Sequence, residues 1–194
     1  MSIVIRVNVD KCNINTVDEI LKYIDDFGLQ DKVGFYLAPV DDINGTCSSS
    51  TCFSCAEFSE EQIEFYQRNQ KKGRTFVNIP QYSPGGCGAI SKNYIIIDPL
   101  GHIYKCWDEI GDIDAKIGDI REAVPLNLNY TKWINYEFLT EAKCLDCKVL
   151  PVCLGGCPYK YIKTGKRECH PTKFNVKELV QLVYNTKKTK NSRG

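Results

Sequence analysis

The chain has no charge bias. Lys and Arg total 25 against 24 Asp and Glu in 194 residues, so no long-range field draws it to nucleic acid or to an anionic membrane, and neither is expected as a partner. It also has no run of eighteen apolar residues, which excludes an ordinary transmembrane helix. The opening MSIVIRVNVDK has no long apolar stretch and no small-residue cleavage site, so no leader is read and a cytoplasmic location is expected. Histidine is scarce: His102 and His170 are the only two. The 43% hydrophobic content is that of a globular protein, leaving disorder to the ends, where Lys187 to Arg193 reads as a solvated basic tail.

Cysteine, by contrast, is abundant. In a reducing cytosol eleven cysteines do not persist as a disulfide framework, and an odd, clustered set points to metal.

The first part of the chain reads strand, helix, strand, helix. Ile3 to Val9 is β-branched and free of turn residues, as suits a parallel strand buried on both faces. Thr16 and Glu19 have capping-box spacing, and Val17, Ile20, Leu21, Ile24 and Phe27 recur at helical period up to Gly28, placed as a left-handed C-cap. Val33 to Val40 is a second buried strand ended by Pro39. Ser59 and Gln62 form another capping box, opening a helix that Gly73 closes. Two strand–helix units cannot close a barrel alone, so their strand edges call for further strands, either upstream or from another chain.

After Pro80 turn chemistry takes over. Tyr94 to Asp98 and His102 to Cys106 read as a hairpin around Asp98-Pro99-Leu100-Gly101. Cys144 to Cys169 is loop-like and dense in Cys, Gly and Pro, and Asn175 to Tyr184 reads as a last helix. The expected division is 1–80, 81–172 and 173–194.

The cysteines follow a pattern. Cys87, thirteen residues, Gly101, four residues and Cys106 form its first half; Cys144-x2-Cys147-x5-Cys153-x3-Cys157, then Cys169, form its second. Thiolates are soft ligands suited to iron, a cubane takes one per iron, and glycines near Cys153 and Cys157 let the backbone curl. The pattern resembles the SPASM domain of radical SAM enzymes over residues 80–170, and residues 1–80 resemble, more loosely, the end of a radical SAM barrel. The fold this implies is α/β (α+β overall): the last strand–helix units of a partial barrel, then a small domain with a β-hairpin and Cys-rich loops.

The resemblance implies two auxiliary 4Fe-4S clusters with interleaved ligands. Cys87, Cys106 and Cys157 would hold the first, and Cys144, Cys147, Cys153 and Cys169 the second. The first lacks a fourth cysteine, for Gln81 stands where some relatives carry one. That iron is open to a substrate thiolate or capped by one of Cys47, Cys52 and Cys55, or by His102 or His170. The competing readings are a structural zinc on four of the cysteines, and scattered buried thiols.

Cys47-x4-Cys52-x2-Cys55 is one residue too long for the C-x3-C-x2-C loop of the SAM-cleaving cluster, and no room for a barrel follows it. It reads as loop thiols, a spare ligand or a redox pair. The chain alone is therefore expected not to cleave S-adenosylmethionine; that cofactor belongs to a full-length parent, a peptide- or protein-modifying maturase. Peptide thioether formation is the favoured chemistry, with a sulfatase-maturing fragment or a non-catalytic binding partner as alternatives. In sulfatase-maturing relatives an aspartate directly follows the cysteine matching Cys106. Here Trp107 intervenes, leaving Asp108 as candidate base or plain loop carboxylate and Trp107 as a cover for a cluster face. Arg6 and Asn8 share one face of the first strand, as cofactor-binding groups in a barrel interior or as a solvated pair.

Overall fold

The computed structural model describes residues 3–30, 32–42, 51–74, 82, 86–122, 127–137 and 139–191; Cys47 and Gln81 lie outside them. In chain order the elements are β1 (Ile3–Val9), α1 (Val17–Asp26), β2 (Val33–Pro39), α2 (Cys55–Lys71), β3 (Ile96–Ile97), β4 (His102–Tyr104), β5 (Gly118–Asp119), α3 (Leu128–Ile134), α4 (Ala142–Leu145), α5 (Leu150–Cys153), α6 (Pro158–Thr164) and α7 (Thr172–Asn191). The chain forms two compact units, residues 1–80 with 171–194, and residues 81–170. No helix among the described residues is long and apolar enough to cross a membrane.

In the first unit β1 and β2 pair in parallel from Ile3↔Val33 to Val9↔Pro39, with α1 as the crossover that parallel strands require. The expectation of a strand buried on both faces is corrected for β1. Val9 is buried and Ile5 and Val7 are half-buried, whereas Val4, Arg6 and Asn8 are exposed. One face of the two-stranded sheet carries the core and the other is open. The core joins Val9, Phe35 and Leu37 to Val17, Leu21 and Ile24 of α1 and to Phe58, Ile63, Phe65 and Tyr66 of α2. Phe35 and Phe65 stack with centroids 5.8 Å apart.

Both expected capping boxes are replaced. At α1 the Thr16 hydroxyl donates to the Asn13 carbonyl (2.9 Å) and caps nothing. The entry is built by Asp10 instead, whose Oδ1 accepts from the N–H groups of Cys12 and Asn13, while Asn13 Oδ1 accepts from the Asp10 N–H. The α2 helix starts at Cys55, ahead of the expected cap, because Ser54 and Glu57 close a reciprocal box of the same signature. Lys11 Nζ, 2.8 Å from Glu57 Oε1, adds a charge partner that Gln62 lacks. Ser59 lies buried inside the helix, its hydroxyl donating to the Ala56 carbonyl (2.6 Å).

The last helix is longer than the periodicity of residues 175–184 indicates, and it belongs to the first unit. Leu179 and Leu182 complete the core there. Asn175 Nδ2 donates to the Ser59 carbonyl (3.1 Å) and to Gln62 Oε1 (2.9 Å), and Gln70 Nε2 donates to the Leu182 carbonyl (3.0 Å). These bonds satisfy the N–H groups of amides that packing takes from water; Asn175 Oδ1, also buried, has no hydrogen-bond partner among the described residues.

In the second unit the hairpin is confirmed and extended. β3 and β4 pair antiparallel around a turn in which Asp98 Oδ1 accepts from the N–H groups of Leu100 and His102, and Gly101 adopts φ +88°. A third strand, β5, pairs with β4; it is two residues long and includes a glycine, so it carries no readable alternation. The stretch expected to be loop holds three short helices, α4 to α6. Ile103, Tyr104, Ile117, Trp133 and Tyr159 are buried here, and Trp133 Nε1 donates to Glu109 Oε1 (3.2 Å).

Replacing Phe65, 1% exposed, by Ala should cost about 3–5 kcal/mol, seen as a lower urea midpoint at unchanged slope. The Glu57 carboxyl is held down at about 2, from 4.5, first by its hydrogen bond to Lys11 and then by the Ser54 cap. Its contribution is therefore present above pH 4.5 and lost as pH falls through about 2. Glu57→Gln should flatten the acid limb of a stability-versus-pH curve over that window.

Candidate metal centre

Every cysteine of the seven-residue pattern lies in the second unit, and none is in a disulfide. Short elements carry them. Cys87 precedes a 3-10 turn at Gly88–Ile90, and Cys106 leaves β4 into another at Trp107–Glu109. Cys144 is on α4, and the Cys147 N–H returns to the Cys144 carbonyl (3.0 Å). Cys153 ends α5, and Cys157 precedes α6, with Pro158 in its first turn.

Between Cys153 and Cys157 the chain makes three consecutive left-handed residues: Leu154 (φ +47°), Gly155 (+82°) and Gly156 (+85°). The Leu154 conformation costs about 1–2 kcal/mol, a penalty a glycine would escape. At Gly156 a Cβ would stand 2.3 Å from the Glu168 carbonyl oxygen, so only glycine lets this loop lie on the segment leading to Cys169.

The arms of Cys87 and Cys106 are tied by Lys105. Its side chain is fully buried, and Nζ donates to the carbonyls of Ser91 and Tyr94 (2.5 Å each), 5.5 Å from the centre of the Tyr130 ring. Burial lowers its pKa, and the charge of Cys87 opposes that. A Cβ at Gly86 would stand 3.2 Å from Leu154 Cδ1, so the chain entering Cys87 runs close to the Cys153–Cys157 loop.

Electrostatics sorts the thiols into two neighbourhoods. Burial pushes Cys106 up to about 12, and the charges of Asp108 and Cys157 add to it. Cys157 is raised by desolvation of its sulfur, although the residue surface is open, with Cys87 and Asp108 contributing. Burial also raises Cys144, where Glu141 and Cys153 act in the same direction and Arg167 opposes them. Lys143 feels Cys144 and Cys169. Cys157 thus acts on Cys106 and Cys87 on Cys157, while Cys153 acts on Cys144 beside a lysine that also feels Cys169.

Soft thiolates in this number are the donors an iron–sulfur cluster takes, and C-x2-C pairing serves zinc as well; among the described residues no three Cys, His, Asp or Glu side chains are grouped to hold a single metal ion. A cubane takes one thiolate at each iron, spreading the sulfurs around it.

Asp108 is half-buried beside the first neighbourhood, and Cys106 Sγ donates to its Oδ2 at 3.6 Å. Trp107, expected to cover a cluster face, is 65% exposed. His102 has its Nδ1 3.0 Å from Asp98 Oδ2, so that nitrogen serves the hairpin turn. Desolvation lowers the His170 pKa, although the residue surface is open. Arg6 and Asn8 sit on the open face of the first unit's sheet, joined by a hydrogen bond from Arg6 Nε to Asn8 Oδ1 (3.0 Å). Cys55 opens α2, and Cys52 lies in the loop before it.

Arg167 is the residue that sequence reading missed. Its side chain is 2% exposed; the only signal was a basic residue two positions before Cys169.

No family model matches the chain, and no curated protein sequence matches it. Its fold is nevertheless shared with part of solved structures that include anSMEcpe, an anaerobic sulfatase-maturating enzyme of the radical SAM SPASM kind. Native anSMEcpe with bound AdoMet and Cp18Cys peptide gives a TM-score of 0.55 at 14% identity, over 97% of this chain and 58% of that one. Native anSMEcpe with bound AdoMet gives 0.56 at 14%, over 96% and 56%. The form with Kp18Cys peptide gives 0.54 at 15%, over 96% and 57%. At these identities the likeness is one of fold, and the chain spans little more than half of the enzyme it resembles.

Gly156→Ala should strain a left-handed position and drive a methyl into the Glu168 carbonyl. After anaerobic incubation with iron and sulfide it should bind about half the iron of the wild type, measured as iron per chain.

Proposed function

We propose that the chain is the cluster-carrying portion of a radical SAM maturase that acts on a peptide or protein. It holds one 4Fe-4S cluster on Cys87, Cys106 and Cys157 and a second on Cys144, Cys147, Cys153 and Cys169. The observation that carries this reading is the seven-cysteine pattern; the charge effects of Cys157 on Cys106, of Cys87 on Cys157 and of Cys153 on Cys144 run within those sets. The shared fold with anSMEcpe, solved with AdoMet and peptide, supports it.

When bound, such clusters pass electrons or hold a substrate thiolate. The residues of this chain provide the rest. Lys105 fixes the arms of Cys87 and Cys106, and the left-handed Leu154–Gly156 turn sets Cys153 relative to Cys157. With three cysteines, the first site leaves one iron for a substrate thiolate, which favours thioether formation in a peptide. Sulfatase-type maturation is the second reading, favoured by Asp108, whose carboxylate beside Cys106 is placed to accept a proton.

The C-x3-C-x2-C motif is missing from this sequence, so S-adenosylmethionine is bound and cleaved by a complementary barrel portion, from the same protein or another chain. Among the described residues the β1–β2 sheet has two strands, and its open face, beside Arg6 and Asn8, is where that portion adds. A reducing, cytoplasmic setting suits seven cysteines outside any disulfide.

Anaerobic reconstitution of the chain should give about eight irons and eight sulfides. Cys106→Ala and Cys153→Ala should each fall to about four, one cluster apiece. Zinc without iron after anaerobic preparation would overturn the reading.

A further inference from the structure

The Arg167 guanidinium joins the chain segments that carry the second cysteine set. Nη1 donates to the Tyr136 hydroxyl (2.5 Å) and approaches the Gly155 carbonyl (3.5 Å), inside the Cys153–Cys157 loop. Nη2 donates to the Glu137 carbonyl (2.5 Å) and to Thr140 Oγ1 (3.2 Å), on the segment entering Cys144. The guanidinium carbon lies 4.2 Å from the Tyr161 ring centre and 5.2 Å from that of Tyr136. Arg167 itself stands two residues before Cys169, so one planar fork fixes the approaches to Cys144, Cys153 and Cys169.

The charges around it do not cancel. Glu141 Oε1 is 3.2 Å from Arg167 Nε, but the same carboxylate also pairs with Lys143, at 2.7 Å from Oε2. Two cations share one anion. The Nε atom is buried and has no hydrogen bond, ion pair aside. An under-compensated buried cation is costly unless an anionic group stands near it. A cubane held by four thiolates is such a group, and Arg167 stands two residues from Cys169.

Resting on the cluster reading above, we propose that Arg167 is the positioning residue of the second site: it locks the three approaches and supplies the buried positive charge that compensates the cluster. A fixed cation beside a cluster favours the reduced, more negative form, so Arg167 raises the reduction potential of that cluster relative to a neutral residue.

The test is reconstitution of the full chain as wild type, Arg167→Gln and Arg167→Lys, followed by iron analysis and by potentiometric titration read by electron paramagnetic resonance. In Arg167→Gln one of the two clusters should titrate at a lower potential, or iron should fall from about eight to about four per chain. Arg167→Lys, which keeps the charge but loses the fork, should carry less iron than the wild type, and the cluster it does load should titrate above that of Arg167→Gln. A Gln variant with wild-type iron and both potentials unchanged, or a Lys variant whose loaded cluster titrates no higher than that of Gln, overturns the inference. A wild type that takes up no iron overturns the cluster reading itself.

Discussion

Three sulfurs of the second unit are costly to ionise: desolvation raises Cys106, Cys157 and Cys144, and neighbouring sulfurs and carboxylates raise them further. In the proposed reading a metal takes the thiolates and offsets that cost, since metal binding releases their protons. The rest of the unit follows from holding those sulfurs in place. The buried Lys105, the left-handed turn after Cys153, the bare Cα of Gly156 and the Arg167 fork each fix a cysteine-bearing segment where a larger hydrophobic core would otherwise have to do so.

The first unit is organised on a different principle. Its two parallel strands bury one face under α1, α2 and α7 and leave Val4, Arg6, Asn8 and Tyr36 open on the other. Parallel sheets are normally covered on both faces, so this arrangement is that of a partial sheet. The 56–58% coverage of the anSMEcpe structures agrees with that.

Elements with a strong local signal were legible in the sequence. The strands Ile3–Val9 and Val33–Pro39, the left-handed Gly28 and the Asp98–Gly101 turn all depend on neighbours close in the chain. Cap assignment failed because Ser54-x2-Glu57 and Ser59-x2-Gln62 carry the same signature, and Lys11, distant in sequence, decides between them. β5 was hidden because two residues, one of them glycine, show no period. Among site residues the cysteines were visible by spacing alone. Arg167 and Lys105 were not, because their importance lies in burial and in partners that one basic residue in a sequence does not announce.

The return of α7 to the first unit bears on the order of synthesis. Leu179 and Leu182 belong to the core that β1, β2, α1 and α2 begin, and they leave the ribosome after every cysteine of the metal centre. Domains generally fold as they emerge, so the unit begun first is finished last. The cysteine-rich unit is a complete excursion of the chain, able to fold while its α/β neighbour still waits for its final helix.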